Sequence, residues 1–300
     1  GNNVTLVDED AIDLGASTVS GTYTLTAGGA VTDTGALAIT GVTTLATGSG
    51  NNITLDHTSN NFQAAVIITS GNNVTLVDAG AIDLGASTVS GTYAVTATAS
   101  GDITDSGVLA ITGGATFTVA NGRSITLDQS STFSSTVTFV ASAGTIAAVT
   151  INDSNALDLK ALTTTGNLTV TAGGAVTDSG TLVIPGTATI SASGQAVTLD
   201  ESSNNFGTLA ITGANVAVTD TNAIILGAST ISGSYTLTAG GAVTDEGALA
   251  ISGDTTIVAG SGNDITLDHT SNNFGGGVKI TSGRNVTLVD ANLIILGDST

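Results

Sequence analysis

Cysteine is absent from all 300 residues, so no disulfide staples the fold and the redox compartment cannot be read from thiols. Basic side chains are almost as scarce: Arg123, Lys160, Lys279 and Arg284 stand against 24 acidic residues, a net charge of −20. That balance argues against nucleic acid and anionic membrane as partners, since both need basic patches. No apolar run is long enough to span a bilayer as a helix, so direct membrane insertion is not expected. A single proline, Pro185, suits a chain whose backbone N–H groups are nearly all engaged. Charged helix formers are sparse and apolar 3–4 spacing is not sustained, so negligible helix is expected.

What recurs is a short phrase: Val or Ile, Thr, at most two more residues, then Asp. The aspartates are Asp8, Asp33, Asp56, Asp78, Asp105, Asp128, Asp153, Asp178, Asp200, Asp220, Asp245, Asp268 and Asp290. The shortest gap separates Asp200 from Asp220 and the longest Asp78 from Asp105. A near-constant period, sustained from end to end, is the mark of a solenoid in which each period is one coil. A longer period contains it. AIDLGASTVSGTY occurs at 11–23 and 81–93, TAGGAVTD at 26–33, 171–178 and 238–245, and GNNVTLVD at 1–8 and 71–78. Super-repeats of about 70 residues, each long enough for several solenoid coils, follow at 11–80, 81–155, 156–222 and 223–292, with partial repeats at 1–10 and 293–300. Three coils per super-repeat is the reading these spacings suggest, within one solenoid segment. Both ends fall inside a repeat, which predicts an excerpt of a longer repetitive protein.

Val, Ile and Leu alternate with Thr, as in TYTLT at 22–26 and VTFV at 137–140, the pattern of strands with one buried face. Gly, Asn and Ser clusters such as GSGNN supply the corners. A lone coil cannot offset the entropy of ordering its backbone, so neighbouring coils must cover it. The expected fold is all-β: a parallel β-helix (β-solenoid) of about 23 residues per coil, right-handed because parallel crossovers are. In the first coil Ile12, Leu14, Val19, Tyr23, Leu25 and Val31 are the candidate inner face. Phe62, Phe133, Phe206 and Phe274 recur every third coil, and Tyr23, Tyr93 and Tyr235 share a position filled by Leu168 in the third super-repeat.

Coils built from VTL, ITL, AIDLG, AGGAVTDTGAL and TGSGNNITLD resemble the repeat region of filamentous-haemagglutinin-like and autotransporter-type bacterial surface adhesins. The resemblance spans the chain and implies secretion, an extracellular or cell-surface location and a fibrous shaft. It carries over no functional residue.

Stacking all the repeated aspartates at one corner would set like charges about 4.8 Å apart, a repulsion of about 0.9 kcal/mol per neighbour in water and about 3.5 at an effective dielectric of 20. Backbone N–H groups of the following turn, as in DTG, DSG, DEG and DAG, are the expected compensation. Asp33, Asp56, Asp78, Asp105, Asp128, Asp153, Asp178, Asp200, Asp220, Asp245 and Asp268 are also the candidate metal ligands, with Ca²⁺ the natural hard-oxygen partner. GSGNNITLD at 48–56 and GSGNDITLD at 260–268 touch on a tandem Ca²⁺-binding nonapeptide, but they stand far apart in the chain and read as turns. His57 and His269, each in DHTSNNF, read as solvated turn residues. The sequons at Asn3, Asn52, Asn73, Asn152, Asn167 and Asn285 arise wherever a turn Asn precedes a Val-Thr strand. Thr22, Thr24 and Thr26, Thr116 and Thr118, Thr169 and Thr171, and Thr236 and Thr238 suggest an interrupted outward threonine array. No coil breaks the repeat to build a cleft, so no catalysis and no resident cofactor are expected. The functional expectation is the structural shaft of an extracellular adhesin or surface fibre, whose binding regions for a host or environmental ligand lie elsewhere. The alternatives are a filament or surface layer, associating end to end or laterally, and a Ca²⁺- or glycan-binding module.

Overall fold

The computed structural model describes residues 1–99 and 101–299. The chain divides into two compact units, Gly1–Ser154 and Asn155–Thr300, and each is a parallel β-solenoid with no helix among the described residues. In the first unit Val4–Asp8, Ile12–Leu14 and Ser17–Val19 make one turn. Tyr23–Ala27, Val31–Asp33 and Leu37–Ile39 lie directly on them, in parallel register. The period-two pattern decides what points inward: Tyr23, Leu25 and Ala27 are buried, while Thr26 between them is exposed. Of the six expected inner-face residues, five are buried; Ile12, in the first coil, is half-covered.

Coils sit so close that glycine is required at one recurrent corner. A Cβ on Gly35 would lie 2.1 Å from Ala16 N, and one on Gly107 2.1 Å from Ala86 N, inside contact distance with backbone that cannot move away. The same Asp-x-Gly corner returns at Gly180 and Gly247, with the same kind of collision.

The winding differs from the expectation in one respect. Partners along one face of the first unit run Ile12, Val31, Ile53, Val74, Tyr93, Ala115, Val137. Those steps average about 21 residues, at the short end of solenoid periods and below the coil length read from the Asp spacing. Super-repeat 11–80 holds ten strands, from Ile12–Leu14 to Val74–Asp78, so with three to a turn the next copy, Ile82–Leu84, begins three and one-third turns on, not three. Val4 rises through Tyr23 and Thr43 to Val66 in three turns. Its sequence copy is not Val66 but Val74, which lies on the next face, over Ile53. The second unit repeats this: Val176 rises through Val197 and Val216 to Tyr235 in three turns. The sequence copy of Val176 is not Tyr235 but Val243, which lies between Ile224 and Ile265. Each super-repeat therefore hands its features to the next face of a three-sided coil.

The core is continuous along each unit. All nine aromatic rings are buried, the four recurrent Phe and the three Tyr among them. In the first unit Phe117 meets Tyr93 and Phe133 edge-on at 6.1 Å and stacks on Phe139 at 6.2 Å, geometries that contribute about 0.5–1.5 kcal/mol each beyond burial.

Candidate functional site

The aspartates do not form one column. Because the copies step from face to face, they stack in runs of three within a super-repeat: Asp33, Asp56, Asp78; Asp105, Asp128, Asp153; Asp178, Asp200, Asp220; Asp245, Asp268, Asp290. Within a run the middle carboxylate points to solvent. Asp56, Asp128, Asp200 and Asp268 are all exposed, and the flanking members turn inward. Alternation roughly doubles the distance between inward charges, which relieves the repulsion that a straight column would suffer.

The inward members have two different duties. Asp78 accepts the N–H of Gly80, in its own turn, at 2.6 Å and that of Phe62, one coil back, at 2.7 Å. Asp220 does the same with Asn222 at 2.9 Å and Phe206 at 2.7 Å, and Asp290 with Asn292 at 2.6 Å and Phe274 at 2.8 Å. These follow the expected turn-capping rule. Asp33, Asp105, Asp178 and Asp245 do not. Their acceptor Oδ1 serves the coil that follows, taking the N–H of Asp56 at 2.9 Å, Asp128 at 2.8 Å, Asp200 at 3.0 Å and Asp268 at 2.9 Å. They are clasps between coils, and the DTG, DSG and DEG turns owe their shape to the glycine instead.

The second oxygen of the clasp meets a residue that sequence reading passed over. Asn60, Asn204 and Asn272 are fully buried. Each Nδ2 donates at 2.6 Å to Asp33, Asp178 or Asp245. Each Oδ1 accepts at 2.8 Å the N–H of Leu37, Leu182 or Leu249 in the preceding coil. The side-chain amide thus substitutes for a stretch of missing backbone ladder at the corner before Phe62, Phe206 and Phe274. The available signal was the recurrence of Asn two positions before each of those Phe residues.

Burial pushes the carboxyls of Asp78, Asp178 and Asp220 above their ordinary range, against the N–H bonds that favour the charged form. Their oxygens are committed to N–H donors, and among the described residues no three acidic or histidine side chains converge.

His57 and His269 each accept, on Nδ1, the N–H two residues on, at 3.2 Å, so they cap their own turns. Lys160 pairs with Asp158 at 2.6 Å and donates to Ser179 at 2.7 Å. Burial raises the Asp158 carboxyl, but the hydrogen bonds from Lys160 and Ser179 outweigh it and the net shift is downward. Arg284 has an acid partner that local reading did not find. It grips Asp264, one coil earlier, through two bonds of 2.8 and 2.7 Å, holding that carboxyl at about 2. Lys279 is exposed. Asn3, Asn73 and Asn167 use their side-chain oxygens to accept N–H groups of Thr22, Thr92 and Thr187 in the next coil, which is the structural reason for the sequons. The GSGNN and GSGND segments are turns, with Gly48 and Gly260 at φ +75° and +79°. Thr116 and Thr118 stack between Ala94 with Thr96 and Thr138 with Val140, a broken two-file array that ends where the repeat moves to another face.

One family model matches the chain four times, at residues 1–69, 71–140, 146–212 and 213–281, under the description Repeats of unknown function (DUF5649). The chain belongs to this repeat family. Each match begins ten residues before a super-repeat as marked at Ala11, Ala81, Ala156 and Ala223. Repeats of this kind have no privileged starting point. No curated protein and no solved structure matches the chain.

Proposed function

We propose that this repeat segment is the structural shaft of an extracellular bacterial adhesin or surface fibre, which holds binding regions located elsewhere away from the cell. The observation that carries the reading is that, within each unit and among the described residues, successive coils pair in parallel register without a break for a cleft. A coil that needs both neighbours to complete its hydrogen bonds and cover its core makes a segment whose length scales with repeat number and which resists local bending. The acidic surface supports the same role, because like-charged shafts repel each other side to side. Burial of every aromatic ring removes the stacking platform a glycan-binding module would use. The resemblance to filamentous-haemagglutinin-like and autotransporter-type repeats supports the secreted location.

Electron microscopy of this segment and of a head-to-tail tandem of two copies tests the reading. The shaft account expects particles of unchanged width whose contour length doubles in the tandem. A compact tandem particle overturns it. Filaments that lengthen with concentration point instead to end-to-end assembly, and antibody labelling of intact producing cells checks the surface location.

A further inference from the structure

The second super-repeat departs from the clasp. Where DHTSNNF runs from 56 to 62, the equivalent DQSSTF at 128–133 is one residue shorter and replaces the buried Asn with Ser131. Ser131 is fully buried and its Oγ still accepts the N–H of Leu109 at 3.0 Å, but the hydroxyl does not reach the aspartate. Asp105 is 8 % exposed; its Oδ1 accepts the N–H groups of Asp128 at 2.8 Å and Gln129 at 3.4 Å. Its Oδ2 is sealed from solvent and has no hydrogen-bond partner among the described residues. The charge that bears on it is that of an acid, Asp128. Asp83 comes from the preceding coil, with Oδ2 accepting the Ser106 hydroxyl at 2.7 Å, and Asp102 accepts Ser124 N–H at 2.8 Å. Asp128 comes from the following coil and Asp153 from the one beyond. Among the described residues the ion pairs lie elsewhere, at Lys160 and Arg284.

We propose that Asp105 is a proton-operated clasp: in mildly acid surroundings its carboxyl takes up a proton, and the seam joining Ile103–Asp105 to Ile125–Phe133 tightens. A buried carboxylate with one oxygen unserved is costly in its charged form, and protonation removes that cost at the one clasp where no amide does so. Burial foremost, and then the charge of Asp128, push the Asp105 carboxyl up to about 6, against the opposing N–H bonds. With the folded value above that of the unfolded chain, the stabilisation is complete below the unfolded carboxylate range. It is lost as pH rises through about 6.

Amide hydrogen exchange on the whole chain at pH 5.0 and 7.5, corrected for intrinsic rates, tests this with the other super-repeats as internal controls. Segment 103–133 is expected to gain about tenfold protection at the lower pH, and segments 31–62, 176–206 and 243–274 distinctly less. Asp105→Asn, which keeps the shape without the charge, is expected to give high protection at both pH values. Equal gains in all four segments, or a pH response retained by Asp105→Asn, overturn the proposal. Should that variant fail to fold, a carbon-detected titration of Asp105 in the unaltered chain decides. A midpoint near 6 supports the clasp and one near the usual carboxylate value refutes it.

Discussion

Replacing Asn60 with Ala deletes two buried hydrogen bonds at one corner. The N–H of Leu37 loses its acceptor at 2.8 Å, and Asp33 loses its donor at 2.6 Å. A buried N–H left unpaired costs about 1–3 kcal/mol, and a hydrogen bond to a charged group contributes about 1.5–3 kcal/mol. The expected loss is therefore about 3–5 kcal/mol, with water entering the vacated space holding it towards the lower end. Ser131→Ala unpairs only Leu109 and is expected to cost about 1–3 kcal/mol. Asn61→Ala, at an exposed neighbour of Asn60, is expected to stay within about 0.5 kcal/mol of the parent. Urea denaturation gives the three midpoints, and exchange at the Leu37 amide locates the damage. Because stability in a solenoid accumulates from neighbouring coils, exposure should begin at that corner and spread from it. If Asn60→Ala costs less than Ser131→Ala, or no more than Asn61→Ala, the buried amide is not the rung described.

Other outcomes follow from the same geometry. Gly107→Ala sets a Cβ 2.1 Å from Ala86 N and is expected to lower the melting temperature by several degrees, whereas Gly50→Ala, which meets nothing within 4 Å, is expected to leave it nearly unmoved. Burial raises the phenols of Tyr23, Tyr93 and Tyr235. The unfolded chain therefore releases these protons first, and stability falls as pH rises through about 10; phenolate absorbance should appear only together with unfolding. Arg284→Ala frees an exposed carboxylate, so the Asp264 titration should return from about 2 towards the ordinary range with little change in melting temperature. Native protein should resist trypsin for hours, since its four cleavage residues are set in hydrogen-bonded coils; rapid cutting at Arg123 or Lys160 would count against closed coils.

The all-β class, the parallel pairing and the buried aromatic positions were legible because alternation and exact repetition are local signals. Winding was not. The repeated Asp marks three points in a super-repeat that winds a third of a turn beyond three, so the spacing of copies exceeds the length of a turn. The same extra third of a turn broke the expected column into runs of three. Asn60, Asn204 and Asn272 were hidden because Asn in a Ser-Asn-Asn run reads as turn chemistry, and only depth reveals it as a ladder rung. Arg284 and Asp264 are 20 residues apart, one coil, so the pair becomes visible once the turn length is known. Ser131 is the reverse case: a one-residue deletion legible in the sequence, whose effect on Asp105 appears only when the buried oxygen is found unserved.

Engineered disulfides measure the winding most directly, because the chain contains no competing thiol. Val77 lies beside Thr96, and Thr104 lies beside Asp83 on another face. Adjacent parallel strands fall within the Cα separation a disulfide spans. Val77→Cys with Thr96→Cys is expected to cross-link under mild oxidation. Val77→Cys with Thr104→Cys, which repeats the spacing of Asp78 from Asp105, is expected to stay open. The opposite pattern would place the copies on one face and contradict the three-and-one-third-turn repeat.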